Sequence, residues 1–181
     1  TAAASLYGTG ATPQLVPSIN GVNTANTDWQ DEVYSSAWTQ NLSASISNAS
    51  EKGSYLFSAN YIDQNGLMDN TFYKRFSGRV NSTYNFSKYV RVGENLMVAR
   101  WSNRGADTNG DRGIPYSAMR QHPAIPVYSA DGVFADPSAL LGSDIDNPVQ
   151  TLYNMRDNTN TSWRVFGNAY IEIMPIKGLT L

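Results

Sequence analysis

"RVNSTYNFSKYVRVGENLMVARWS", residues 79–102, carries two runs in which apolar and polar residues alternate. Before Ser87, the residues Val80, Tyr84 and Phe86 alternate with Arg79, Asn81, Thr83 and Asn85. After Lys88, the residues Val90, Val92, Leu96 and Val98 take every second position, and Glu94 interrupts them. Alternation with period 2 puts apolar side chains on one face of a strand and polar ones on the other. Only the dipeptide Ser87-Lys88 separates the two runs, so the stretch reads as two long, two-faced strands joined by a tight turn.

The same pattern recurs outward from this hairpin. In "AWTQNLSASISN" (37–48), Trp38, Leu42, Ala44 and Ile46 oppose Thr39, Asn41, Ser43, Ser45 and Ser47. In "SYLFSANYI" (54–62), Tyr55, Phe57, Ala59 and Tyr61 oppose Ser54, Ser58 and Asn60, with Leu56 and Ile62 as exceptions. In "SWRVFGNAYIEI" (162–173), Trp163, Val165, Ala169, Ile171 and Ile173 oppose Arg164, Asn168 and Glu172. Antiparallel strands are expected over 38–48, 53–63, 74–86, 90–102 and 162–174, in meander order, with a further strand starting at "LTL" (179–181).

Connection lengths then alternate. "NASEKG" (48–53), "SK" (87–88) and "PIKG" (175–178) are short, whereas 63–72 and above all 103–161 are long. Transmembrane β-barrels show this asymmetry, with short periplasmic turns and long extracellular loops. Runs of ten to thirteen residues also exceed the ~5–6 of soluble strands and reach the ~9–11 that cross a bilayer. Trp38, Tyr61, Phe86, Tyr89, Trp101 and Trp163 fall near strand ends, as in interfacial aromatic girdles. The fold class expected is all-β, a transmembrane antiparallel β-barrel segment covering 37–181, with 103–161 as a long extracellular loop. A soluble β-sandwich, for instance a carbohydrate-binding module, alternates in the same way and is the alternative reading.

Composition agrees with a wet, uncharged surface. Only 15% of the 181 residues are charged while 12% are aromatic, eleven of them Tyr. The net charge of -2 gives no nucleic-acid footprint. Without cysteine there is neither a disulfide framework nor a thiolate metal site. No stretch approaches the ~20 apolar residues of a membrane helix. The chain opens on "TAAASLYG", without Met or a signal-peptide pattern, which points to a removed leader or to a piece of something longer. Residues 1–36 read as an extracellular loop or linker, with Pro13, Pro17, Asn20 and Gly21. Within them "TDWQDEVY" (27–34) is expected to begin a short helix, Thr27 capping it and Gln30 closing the capping box.

Several motifs together resemble one family. "NTDWQDEVYSSAWTQNLSASISNASEKGSYLFSANYIDQNGLM", "YKRFSGRVNSTYNFSKYVRVGENL", "HPAIPVYSADG", "NPVQTL" and "NTSWRVFGNAYIEIMPIKGLTL" follow in the order seen in the early barrel of SusC/RagA-type TonB-dependent outer-membrane transporters. The resemblance covers nearly all of 27–181. It implies a barrel of about 22 strands around an N-terminal plug, of which this chain is similar to about one quarter. It implies an outer-membrane location in a Gram-negative bacterium and energy-coupled import of oligosaccharides or peptides. The partners implied are a SusD-like surface lipoprotein as lid, TonB through a plug and TonB box absent from this chain, the remaining barrel segments and outer-membrane lipid.

No catalytic constellation stands out, so no enzymatic activity is expected. His122, the one histidine, precedes Pro123 in a loop, with no acid and nucleophile marked beside it. A hydrolase on a β scaffold is disfavoured for that reason. "DTNGDRG" (107–113) puts Asp107, Asn109 and Asp111 at calcium-loop positions 1, 3 and 5, but Arg112 and Ala118 stand where Gly and Glu belong. A solvated turn is the plainer reading, and no other cofactor is expected. Tyr116, Tyr128, Phe134 and Tyr153 are candidates to stack on substrate from the long loop, set against the plain role of packing that loop. Arg75, Arg79 and Arg164 fall on the polar, lumen-facing side, either along the solute path or, as the resemblance favours, against plug acids.

Overall fold

The computed structural model describes residues 25–176 and 178–181. Five strands, β1 (Thr39–Ser50), β2 (Gly53–Asn65), β3 (Phe72–Ser87), β4 (Val90–Arg104) and β5 (Asn160–Ile173), form one antiparallel sheet in the order β1-β2-β3-β4-β5. They run 12 to 16 residues. Their bounds differ by one or two residues from the spans expected. The additions are mostly polar, and pairs such as Asn103↔Asn160 and Gln64↔Tyr73 extend the ladder through backbone groups alone. Backbone pairing is indifferent to the side-chain polarity that the alternation records.

Two tight turns close one end of the sheet. Glu51-Lys52 joins β1 to β2, and Ser50 pairs with Gly53. Gly53 has φ +151°, and a Cβ there would overlap the backbone carbonyl of Thr83. Lys88-Tyr89 joins β3 to β4, after a register shift between Asn85 and Ser87. Asn85 stitches the two turns together. Its side-chain amide donates to the Glu51 carbonyl (2.8 Å), and its Oδ1 accepts from Arg91 Nε (2.9 Å). Beyond β5 the chain turns back, and Leu181 exchanges two backbone hydrogen bonds with Ile173 (2.9 and 3.0 Å). Of the further strand expected to start at "LTL" (179–181), the structure shows these two bonds and an isolated bridge between Ile176 and Leu179.

A second compact unit comprises, among the described residues, 25–36, 67–70 and 106–157. It holds α1 (Trp29–Val33), α2 (Ile114–Arg120), α3 (Pro137–Leu141), α4 (Pro148–Asn154) and a 3₁₀ turn, Met155–Asp157. Trp29, Val33, Ile114, Ile125, Ala135 and Leu152 form its buried core. The segment expected as one long loop is therefore a folded body. Its helices span only five to seven residues, too short for a 3.6-residue period to be read. Their start signals were nonetheless present: Asp136-Pro137 and Asn147-Pro148 are N-caps followed by Pro at the first helical position. Asn147 is the hub. Buried to 1% exposure, it donates to the carbonyls of Val127 (2.9 Å) and Ala135 (3.3 Å) and accepts from the Val149 and Gln150 amides.

The helix expected to begin within 27–34 is α1, but its cap is Asp28 rather than Thr27. Asp28 Oδ1 accepts from the amides of Gln30 (3.1 Å) and Asp31 (3.3 Å). A carboxylate suits the positive end of a helix better than a hydroxyl does. Thr27 instead donates its hydroxyl to the Ile125 carbonyl (2.7 Å). The expectation for residues 1–24 lies outside the described residues.

Candidate functional site

Register turns the five alternations into two continuous faces. On one face the rows across the strands read Leu42–Tyr61–Phe76–Arg100–Trp163, then Ala44–Ala59–Gly78–Val98–Val165, then Ile46–Phe57–Val80–Leu96–Gly167. Next come Asn48–Tyr55–Ser82–Glu94–Ala169 and, nearest the turns, Gly53–Tyr84–Val92–Ile171 and Val90–Ile173. Most of these side chains are open: Trp163 is 65% exposed and Ile46 61%. An apolar sheet face left bare among the described residues is a surface for lipid or for another apolar partner. Trp163 and Ile173 stand ten residues apart on β5, about 34 Å along a strand and about 26 Å along the axis of a barrel tilted ~40°. That is the height of the ~25 Å outward apolar band of an outer-membrane barrel.

Both edges of the band are marked. At the loop end Tyr61, Phe76 and Trp163 form an aromatic row, with the Arg100 guanidinium 5.3 Å from the Trp163 ring centre. Just beyond it Lys74 Nζ meets Asp63 Oδ2 at 3.0 Å. At the turn end stand Tyr84 and Phe86, with Tyr89 in the turn under the Lys88 ammonium (4.8 Å). Aromatic rings with charged rims are what an interface between hydrocarbon and water selects.

The opposite face carries Ser43, Ser45, Ser58, Asn60, Ser77 and Asn81, and here the structure places Arg75, Arg79 and Arg164. None of the three makes an ion pair among the described residues. Arg79 Nη2 lies 3.9 Å from Met97 Sδ. The Arg164 guanidinium sits 5.7 Å from the Trp101 ring centre. Arg75 Nε is buried with no hydrogen-bond partner among the described residues. A shallow hollow of about 430 Å³ is lined by Ser43, Ser45, Ser58, Asn60, Arg75 and Arg79 among others. The face is not purely polar: Leu56, Ile62, Met97, Trp101 and Phe166 share it.

In the other unit, three of the four aromatic candidates meet. Tyr128 and Phe134 stack with centroids 5.0 Å apart, and Phe134 and Tyr153 lie at 5.3 Å. Arg156, not among the candidates expected from the sequence, covers Tyr153 at 3.8 Å. Its position three residues after Tyr153 at a helix end was the available signal. Tyr116 pairs instead with Arg120, whose Nη1 donates to its hydroxyl (3.0 Å). The calcium-loop pattern folds as a turn in which Asp107 Oδ1 accepts from the Asn109 amide (3.0 Å). Among the described residues no group of three or more acidic, His or Cys side chains gathers to hold a metal. His122 Nδ1 accepts from the Ala124 amide (3.1 Å), and its carbonyl accepts from Trp29 Nε1 (3.1 Å). It is thus a turn and packing residue here.

No family model matches the chain. Individual relatives do. TonB-dependent receptor P3 of Formosa agariphila is 35% identical over 130 residues, which make up 68% of this chain and 13% of that protein. TonB-dependent receptor SusC of Bacteroides thetaiotaomicron is 28% identical over 161 residues, 88% of this chain and 15% of that protein. Among solved structures, the RagAB peptide importer in a closed-closed state aligns over 87% of this chain and 18% of its own, with a TM-score of 0.66 and 25% identity. The structure of the RagAB peptide transporter gives 0.65 and 27% over the same shares. The chain thus spans about one seventh of the curated relatives' length. A two-faced antiparallel sheet of membrane height, matched in sequence and fold by these proteins, belongs to the barrel wall of the SusC/RagA-type TonB-dependent transporter family.

Proposed function

We propose that the protein to which this wall belongs is an energy-coupled outer-membrane importer of oligosaccharides or peptides. One observation carries the reading: the sheet has a lipid-compatible band on one face and a hydrated, arginine-bearing face on the other. Such a wall separates hydrocarbon from a wet lumen, and lipid offers no partners to unpaired backbone groups, so the ring closes through other strands of the same barrel. A SusD-like lipoprotein covers the mouth, and TonB pulls on a plug inside the barrel. Likeness to SusC and to the RagAB importer supports this arrangement. A soluble carbohydrate-binding sandwich is the poorer reading, because its apolar face needs a second sheet against it.

Arg75, Arg79 and Arg164 then face the lumen. The cluster Tyr128–Phe134–Tyr153 offers rings to a sugar face or a peptide side chain from the extracellular unit. The test is uptake of labelled oligosaccharides and peptides by the native host with and without the gene, before and after the proton gradient is collapsed. Gradient-dependent uptake that disappears with the gene, together with co-purification of a surface lipoprotein, is the expected result. Uptake unchanged by both interventions refutes the reading.

A further inference from the structure

Glu94 is the one acidic residue inside the apolar band of the described strands. Along β4 its neighbours on that face are Val92 and Leu96, and across the sheet they are Ser82 and Ala169. One carboxylate oxygen, Oε1, accepts from the Ser82 hydroxyl at 3.2 Å. No cation pairs with it among the described residues. The strand cations of this face, Arg100, Lys74 and Arg104, stand three, four and five rows towards the loop end, Arg100 being about 20 Å away along the strand. Lys74 is moreover taken by Asp63. Beside Glu94 a hollow of about 670 Å³ is lined by Ser82, Tyr84, Val92, Glu94, Ala169 and Ile171 among others.

Depth selects the ligand. Glu94 lies one row inside Tyr84, about 5 Å along the axis of a barrel tilted ~40°. Tyr84, Phe86 and Tyr89 mark the headgroup level on the tight-turn side. The carboxylate therefore opens where headgroups meet acyl chains, a depth at which a polar side chain takes a hydrogen-bonding or cationic partner. We propose that Glu94 and Ser82 form an outward-facing site for the primary ammonium headgroup of a phospholipid, the ethanolamine class, in the leaflet on the tight-turn side. A primary ammonium has three N–H donors, which suit the free Glu94 oxygen and the Ser82 hydroxyl oxygen. A choline headgroup has no N–H to give. The proposal rests on the reading that this face meets lipid.

The test uses the full-length transporter in vesicles and two photoreactive phospholipids with identical acyl chains, one ethanolamine and one choline. Cross-links are mapped to peptides from β4 and β5. Wild type is expected to favour the ethanolamine probe at this site by roughly tenfold, the scale of one charge-assisted hydrogen bond. Glu94→Gln is expected to reduce the yield to the choline level, Ser82→Ala to lower it partly, and Glu51→Gln, in the exposed turn, to leave it unchanged. Equal yields of the two probes in wild type, or a preference that survives Glu94→Gln, overturns the proposal. If the protein does not insert, or if β4 and β5 take up no probe of either kind, the lipid-facing reading fails as well. Insertion with choline and ethanolamine alike defeats the headgroup site alone.

Discussion

The faces of β3 differ enough in their solvent to be told apart by one charge. Val80 lies in the row Ile46–Phe57–Val80–Leu96–Gly167, two rows from the aromatic Tyr61–Phe76–Trp163 row and two from the Tyr84 row. That is about 10 Å from either girdle along the axis of a barrel tilted ~40°, so the side chain sits near the membrane midplane. Asn81, next along the strand, points to the other face and pairs across with Leu56 and Asn95. Val80→Arg is expected to cost ~2–4 kcal/mol, the price of Arg at mid-depth on a lipid face, whereas Asn81→Arg falls within about 1 kcal/mol because a wet lumen solvates the guanidinium. The first figure corresponds to a drop of roughly 30-fold to 900-fold in the folded-to-unfolded ratio. Reversible denaturant unfolding of the full-length protein in lipid vesicles, followed by tryptophan fluorescence and by gel mobility with and without heating, measures both variants. Equal destabilisation of the two, or a Val80→Arg cost below about 0.5 kcal/mol, would refute the face assignment, since both outcomes require the same solvent on either side of the strand.

Two further outcomes follow from the packing. Tyr170 lies across Gly93, its cross-strand partner, so closely that a Cβ on Gly93 would enter the ring. Gly93→Ala is expected to cost about 1–3 kcal/mol by overpacking, and Tyr170→Ala in the same chain to relieve most of it. A double-mutant cycle measured by denaturant unfolding checks this, and additive effects would count against the ring-over-glycine contact. Asn147→Ala strips the carbonyls of Val127 and Ala135 and the cap of α4 of their partner, a loss of about 2–4 kcal/mol. It is expected to loosen the unit containing 106–157, seen as faster proteolysis there, while the barrel keeps its heat-modifiable gel mobility.

How much of this was legible in the chain depends on the range of the interaction. Side-chain direction alternates locally along a strand, so the faces of Leu42, Phe57, Val80 and Val165 against Ser43, Ser58, Asn81 and Arg164 could be read without coordinates. Glu94 was visible in the same way, as a break in a pattern. The short helices of 106–157 were not, since five to seven residues give too few turns for a period and their formation rests on burial among distant residues. The choice of Asp28 over Thr27 as cap likewise depended on Ile125, 98 positions beyond Thr27, accepting the Thr27 hydroxyl.

Long, two-faced strands joined alternately by tight and extended connections are written into the local order of residues, because side-chain direction along a strand depends only on the residues of that strand. Tertiary structure decided who meets whom across strands and within the loop unit. The Ser82–Glu94 contact, Tyr170 over Gly93 and Arg164 beside Trp101 all depend on register. Register at the turn end in turn depends on one irregularity between Asn85 and Ser87. A slip of one residue there would reverse the faces of β4 relative to β3. The convergence of Tyr128, Phe134 and Tyr153, and the diversion of Tyr116 to Arg120, arise from the packing of short elements around Asn147 and Leu152. Contacts between residues far apart in sequence form only once the chain has been brought together, and no local period encodes them.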